Sequence, residues 1–88
     1  MSGTDPIARL PAAFGKLLRQ LRANRGLETD AIASEVGLIS AKRLASMEGG
    51  EAEPTLTEFF RIADTLSESP AILLIDLITS WRGGPVQS

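Results

Sequence analysis

Apolar residues recur along this chain with helical spacing, three and four positions apart, in five separate stretches. In the first stretch, for example, Phe14, Leu17, Leu18 and Leu21 would share one face of a helix. No stretch shows the strict alternation that is typical of a half-buried β-strand. The sequence therefore predicts an all-α fold, with helices over about Ala12–Asn24, about Thr29–Val36, from near Ser40 to Gly49-Gly50, onward from Thr55, and from Ser69-Pro70 to about Trp81.

The predicted helix ends carry recognisable start and stop signals. Ser40 is a good N-cap for the third helix, and Thr29 is a candidate N-cap for the second. Thr55-Leu56-Thr57-Glu58 is a capping box, and Ser69-Pro70 joins an N-cap to a proline at the first helical position. We predict that the fourth helix buries a stripe of six apolar residues: Leu56, Phe59, Phe60, Ile62, Ala63 and Leu66.

The second and third helices carry the pattern of a helix-turn-helix. Ala33 is small enough for another helix to approach closely, and Gly37 can adopt the positive φ that ends a helix. Leu44 and Met47, three residues apart, would bury one face of the third helix. The opposite face would then be free to enter a DNA groove.

The fifth helix is apolar on two faces, one of which would remain exposed in a monomer. Ala71, Leu74, Ile75 and Ile78 form the first face, which we expect to close the core. The second face is predicted to form a homodimer interface, with Trp81 as a packing anchor: Leu73, Leu77 and Trp81. The alternative is that the first helix and the N-terminal segment cover both faces.

The domain organisation follows from these elements. Residues 1–11 contain two prolines and little periodicity, which predicts a flexible arm or a short irregular helix. Residues 12–82 form the helical domain, with the dimerisation helix at about 70–82, and residues 83–88 form a flexible tail.

Composition limits the possible chemistry. The 88 residues correspond to one small domain, and the absence of Cys and His excludes disulfides, Cys/His metal sites and an imidazole base. No cofactor or metal site is predicted, and the scattered carboxylates do not indicate an enzyme. Neither a signal peptide nor a run of about 20 apolar residues is visible, so we predict a cytoplasmic protein.

Net charge is −2, which is unusual for a DNA-binding protein. The charge is uneven, however. Residues 1–26 carry five basic residues against Asp5 alone, whereas residues 27–88 carry four basic and ten acidic residues. A basic surface can therefore exist on an acidic chain.

Taken together, these features resemble the lambda-repressor/Cro-like (Xre-type) helix-turn-helix family over roughly residues 14–77. The residues that carry the resemblance are Leu18, Leu21, Arg22, Gly26, Ile32, Ala33, Gly37, Leu44, Met47, Glu48, Gly50, Pro54, Ile62, Ala63 and Leu66. The resemblance implies a compact all-α domain, usually dimeric, whose third helix reads the major groove. It also implies a structural ion pair between Arg22 and Glu48.

Three departures from the family pattern change the expected site. The interval from Gly37 to Glu48 is one residue longer than usual, so the extra residue must lie in the Leu38-Ile39 turn for Leu44 and Met47 to face inward. Thr29 replaces a frequent Gln. The corner Glu51-Ala52-Glu53 is acidic where basic or amide residues are common.

The predicted site lies on the third helix and the neighbouring helix starts. Base readout is assigned to Ser40, Ala41, Lys42, Arg43 and Ser46, with Arg43 able to bind guanine O6 and N7. Phosphate contacts are assigned to Lys16, Arg19, Thr29 and Thr55, and Arg9 is a further candidate. The alternative for Lys42 and Arg43 is a solvated polar surface.

The sequence therefore favours a homodimeric transcriptional regulator, a repressor or controller that binds a palindromic operator in double-stranded DNA. The alternative is a protein-interaction module of the same fold, such as an anti-activator, an antitoxin-like regulator or a complex subunit, with weak affinity for DNA. Such a module would have another regulatory protein as its partner.

Overall fold

Six segments of backbone are helical in the computed structural model, which describes residues 5–37 and 39–82. A short 3₁₀ helix precedes α1, and within the described residues there is no β-strand. The all-α fold with five α-helices is thus confirmed. The segments are the 3₁₀ helix Pro6–Arg9, α1 Leu10–Asn24, α2 Thr29–Val36, α3 Ala41–Glu48, α4 Leu56–Thr65 and α5 Pro70–Trp81.

Three of the helices begin at the side-chain caps expected from the sequence. The Ser40 hydroxyl accepts a hydrogen bond from the Arg43 amide at 3.0 Å. The Thr55 hydroxyl accepts from the Glu58 amide at 3.1 Å, and the Glu58 carboxylate accepts from the Thr55 amide at 2.8 Å, which completes the capping box. Ser69 caps α5 in the same way, through the Ala71 amide at 3.2 Å. These bonds satisfy amides that the helices themselves leave unpaired.

The prediction that Thr29 caps α2 is wrong. Its N-cap is Glu28, which makes no side-chain capping bond, and Thr29 is the first helical residue rather than the cap. The residue before a helix typically has non-helical φ and ψ angles, and here Glu28 adopts the extended conformation.

The N-terminal segment is helical sooner than expected. Asp5 accepts a hydrogen bond from the Ile7 amide at 3.0 Å and starts the 3₁₀ helix, and α1 follows at Leu10 rather than Ala12. The short irregular helix, one of the two options for this segment, is therefore the form seen from Pro6 to Arg9. The first four residues of the predicted arm and the whole predicted tail, 83–88, lie outside the described residues.

The helix-turn-helix packs its inner face into the centre of the core. Leu44 and Met47 are completely buried against Ile32, Leu18 and Ile62. The turn begins at Gly37, whose φ of 78° lies in the left-handed region and whose amide donates to the Ala33 carbonyl at 3.0 Å. Ile39 is also buried, and α3 starts after Ser40, which is the register that the longer turn predicted.

A glycine on α1 allows that helix to cross the end of α3 at close range. A Cβ at Gly15 would lie 2.6 Å from the Glu48 carbonyl oxygen and nearer still to that of Met47. Because these are backbone atoms, no side-chain rotation can make room. In the sequence, the signal for this crossing is a lone glycine inside an amphipathic helix.

We expect Gly15→Ala to destabilise the fold by about 1–3 kcal/mol, since overpacking against rigid backbone outweighs the better helix propensity of alanine. Urea denaturation followed by circular dichroism measures this loss. Gly49→Ala is the matched control, because a Cβ there meets only ordinary contacts of 3.5 Å or more. Equal stabilities for the two variants would contradict the close crossing.

Candidate nucleic-acid interface

The outward side of α3 is a narrow ridge of small residues with one lysine. Lys42, Ala45 and Gly49 are exposed at helical spacing, while Ala41 and Ser46 flank the ridge and are half-buried. Burial of Leu44, Met47 and Glu48 on the other side fixes this orientation. Ser40 is exposed at the start of the helix. Ala45 is not among the residues predicted for base readout, although its position three residues after Lys42 places it on the same side of α3.

An ion pair anchors the C-terminal end of α3 to α1. The Arg22 guanidinium donates to both carboxylate oxygens of Glu48, from Nε at 2.7 Å and from Nη2 at 3.0 Å. Its Nη1 donates to the Leu27 carbonyl at 3.0 Å, in the loop before α2. Hydrogen bonding to Glu48 raises the pKa of Arg22 above its usual value. Because Glu48 is only 9% exposed, this bidentate pair satisfies a carboxylate that would otherwise be buried alone.

A second bidentate ion pair anchors the N-terminal end of α3. Arg43 donates to Glu58 from Nε at 2.7 Å and from Nη2 at 2.8 Å. Nη2 also donates to the Glu53 carbonyl at 2.9 Å. The sequence analysis assigned Arg43 to a guanine, but in the structure the nitrogens that would make such a contact are hydrogen-bonded within the protein.

The N-terminus of α4 already holds an anion. The Glu58 carboxylate lies at this helix end, where the helix dipole favours negative charge. Its pKa is lowered to about 2, first by the hydrogen bonds from Arg43 and then by those from Thr55. The Thr55 amide is therefore engaged, and a nearby carboxylate repels phosphate, which weakens the case for Thr55 as a phosphate contact.

The remaining phosphate candidates lie on the surface. Lys16 and Arg19 are exposed on α1, and Thr29 is half-buried at the first position of α2. No side chain caps α2, so its first amides are not engaged by a cap. Arg9 is exposed at the end of the 3₁₀ helix. No group of three His, Cys, Asp or Glu residues in the described part of the chain is placed to hold a metal ion.

The apolar faces of α5 are the reverse of those predicted. Leu73 is 1% exposed and packs against Leu17 and Ala63, so it cannot contribute to a dimer interface. Leu77 is half-buried against the core, and the Trp81 indole donates to the Pro6 carbonyl at 2.7 Å. An almost uniformly apolar helix does not reveal from its sequence which face turns inward.

Six large apolar side chains of α4 and α5 are exposed instead. On α5 they follow one another at helical spacing, and on α4 they are two of the residues that the sequence analysis assigned to the core. We call this surface the α4–α5 face: Leu56, Phe60, Ile72, Leu74, Ile75 and Ile78.

Of the predicted stripe on α4, Ile62, Ala63 and Leu66 are buried, and Phe59 is half-buried against the core. Leu56, by contrast, is 75% exposed. An open groove of about 640 Å³ separates Leu56 and Phe60 from Leu74. Within residues 5–37 and 39–82, no helix is both long enough and apolar enough to cross a bilayer.

Comparison with known proteins agrees with this geometry. Residues 13–71, more than half of the chain, match the model of a helix-turn-helix domain. Two crystal structures of the clp gene regulator ClgR from Corynebacterium glutamicum are similar to this chain. The first is 27% identical with a TM-score of 0.76, covering 83% of this chain and 77% of that one. The second is 28% identical with a TM-score of 0.73, and the match covers 81% of this chain and 91% of that one. Comparison with curated protein sequences gives no match.

The low pKa of Glu58 predicts a pH-dependent contribution to stability. A carboxylate whose pKa falls from 4.5 to about 2 on folding adds stability above pH 4.5, and loses it as the pH falls towards 2. We therefore expect Glu58→Gln to lower the urea midpoint at pH 7, with the difference from wild type shrinking between pH 4.5 and 2. Glu51→Gln removes the same charge from an exposed residue between α3 and α4, and should leave the urea midpoint nearly unchanged. A pH-independent difference for Glu58→Gln would contradict the ion pair.

Proposed function

Because this chain belongs to the helix-turn-helix domain family, we propose that it is a sequence-specific regulator of transcription that binds double-stranded DNA through α3. The observation that carries the proposal is the exposed ridge of α3 around Lys42, held outward by the complete burial of Leu44 and Met47. The similarity to ClgR, a gene regulator by its description, supports the same function.

Base contacts are proposed for the exposed and half-exposed residues of α3. Lys42 donates to a base edge or a phosphate, and Ser40 and Ser46 supply hydroxyls. Ala41 and Ala45 are apolar and suit the methyl group of thymine. Lys16, Arg19 and the uncapped start of α2 at Thr29 contribute phosphate contacts.

The charges of the surface set the expected strength of binding. Arg22 and Arg43 are each paired with a carboxylate, so their charges are locally neutralised. Lys16, Arg19 and Lys42 would neutralise about three phosphates per chain, or about six for a dimer. The logarithm of the affinity should then fall with the logarithm of salt concentration with a slope of about −5.

We also propose that the regulator acts as a homodimer through the α4–α5 face. Six large exposed hydrophobic residues on two neighbouring helices of so small a domain are costly in water, and a two-fold axis would bury each copy against the other. A symmetric dimer presents two α3 helices to half-sites about one DNA turn apart, which implies a palindromic operator. Repression or control of a promoter follows if the operator overlaps it.

A second candidate function is that of a protein-interaction module with weak affinity for DNA. The specific observations in its favour are the exposed carboxylates Glu51 and Glu53 beside α3, and the apolar α4–α5 face, which another regulatory protein can cover. Salt dependence separates the two functions, since a DNA-binding protein loses affinity steeply as salt rises.

Lys42→Ala should weaken binding to duplex DNA about tenfold, because it removes the central cation of the ridge. The measurement is fluorescence anisotropy with duplexes selected from a random pool, at several salt concentrations. Arg61→Ala on α4, which removes the same charge beside Glu35 and Asp64, is the matched control and should bind like wild type. Identical binding by both variants would refute the role of the ridge, and failure of the wild type to bind at low salt would favour the interaction module.

Ile75→Glu should weaken dimerisation at least about a hundredfold, since a carboxylate would have to be desolvated in each copy. Analytical ultracentrifugation gives the monomer–dimer equilibrium. Ile7→Glu is the control, because Ile7 is equally exposed, at 57% against 56% for Ile75, but lies on the 3₁₀ helix. A wild-type monomer at all concentrations, or an unchanged dimer in the Ile75 variant, would rule out this interface.

A further inference from the structure

We propose that Arg43 is a positioning residue that sets the orientation of α3, and that it does not read a base. The inference rests on the proposed DNA-binding function and deepens it. It begins from the contacts of one guanidinium, which binds the Glu58 carboxylate through two nitrogens and the Glu53 carbonyl through one of them.

These contacts join three separate parts of the chain. Arg43 lies in the first turn of α3, Glu53 in the connection to α4, and Glu58 in the first turn of α4. The Arg43 amide meanwhile donates to the Ser40 hydroxyl and closes the N-terminal cap of α3. One residue therefore completes the cap of its own helix and ties that helix to the start of the next.

The pair adds a polar attachment at the end of α3 where Leu44 is already completely buried. The helix has eight residues and packs chiefly against α1 and α2, and its C-terminal end is held by Arg22 and Glu48. Two bidentate ion pairs thus hold the two ends of the same short helix. Because a base-reading helix must enter the groove at a defined angle, fixing both ends preorganises the ridge for binding.

If Arg43 left Glu58 to bind a guanine, it would gain little binding free energy. A guanine offers O6 and N7 as acceptors to the same kind of two-nitrogen contact that Glu58 already accepts. Breaking the ion pair would also leave Glu58, whose side chain is 12% exposed, without its arginine partner. The pair therefore favours Arg43 remaining on Glu58, and leaves base recognition to Lys42, Ala45 and Ser46.

Whether Glu58→Gln weakens or tightens DNA binding distinguishes the two roles of Arg43. If Arg43 positions α3, Glu58→Gln weakens DNA binding about tenfold, as Arg43→Ala does, and the double variant binds no worse than about twofold below either single variant. If Arg43 reads a base, Glu58→Gln frees the guanidinium and removes a negative charge, so binding tightens. In that case Arg43→Ala abolishes the preference for guanine at one position of the selected duplexes.

The matched control is Glu53→Gln, which removes the same charge from the same corner but keeps the backbone carbonyl that Arg43 uses. It should bind DNA as well as wild type or more tightly. Affinities and base preferences are measured by anisotropy and by selection from random duplexes, at a temperature where circular dichroism shows every variant to be folded. Tighter binding by Glu58→Gln, or additive losses in the double variant, would overturn the proposal.

A measurement on the free protein keeps this inference separate from the proposed function. The backbone amides of residues 43 and 44 donate to the hydroxyl and the carbonyl of Ser40. Their hydrogen exchange should accelerate in Arg43→Ala and in Glu58→Gln, and stay unchanged in Glu53→Gln. If exchange accelerates while the wild type binds no DNA, the positioning of α3 stands and the DNA function fails. Unchanged exchange in Arg43→Ala and Glu58→Gln would overturn the positioning role itself.

Discussion

Complete burial of Leu44 and Met47 is the constraint on which the rest of the structure depends. These two side chains bring a helix of only eight residues onto the core, and so they decide which of its residues face outward. The close crossing at Gly15 brings α1 against the end of α3. The left-handed turn at Gly37 and the buried Ile39 set the start of α3 at Ser40. Each feature is a consequence of fitting one short helix into a small core.

Most of the positive charge around α3 is paired with carboxylates within the protein. Two arginines are bound to carboxylates at the two ends of this helix: Arg22, for which the family resemblance implied such a pair, and Arg43, which was predicted to contact DNA. These ion pairs neutralise both arginines locally and hold the two ends of α3 in place. Lys42 is then the exposed cation of the ridge. An acidic chain that binds DNA through this ridge would rely on a few well-oriented cations rather than on an overall positive potential.

Much of the fold could be predicted from the sequence because its signals are local. The cap at Ser40, the capping box at Thr55 and the glycine stop at Gly37 each act within one helical turn, and helix boundaries followed from them. The features that could not be predicted are those settled by packing between distant segments. The inward face of α5, the exposed Leu56 and the partner of Arg43 all depend on how α3, α4 and α5 are placed in the fold, which no local pattern encodes.

The hydrogen bond from the Trp81 indole to the Pro6 carbonyl joins the first and last described helices of the chain. Trp81 is also the only tryptophan in the protein. Its intrinsic emission therefore reports on one junction, at the far end of α5, and not on the buried centre where no tryptophan lies. A spectral shift that precedes loss of ellipticity on heating would signify release of that junction while the helices remain formed. The molecule thus carries its own optical probe for separating fraying at its ends from melting of its core.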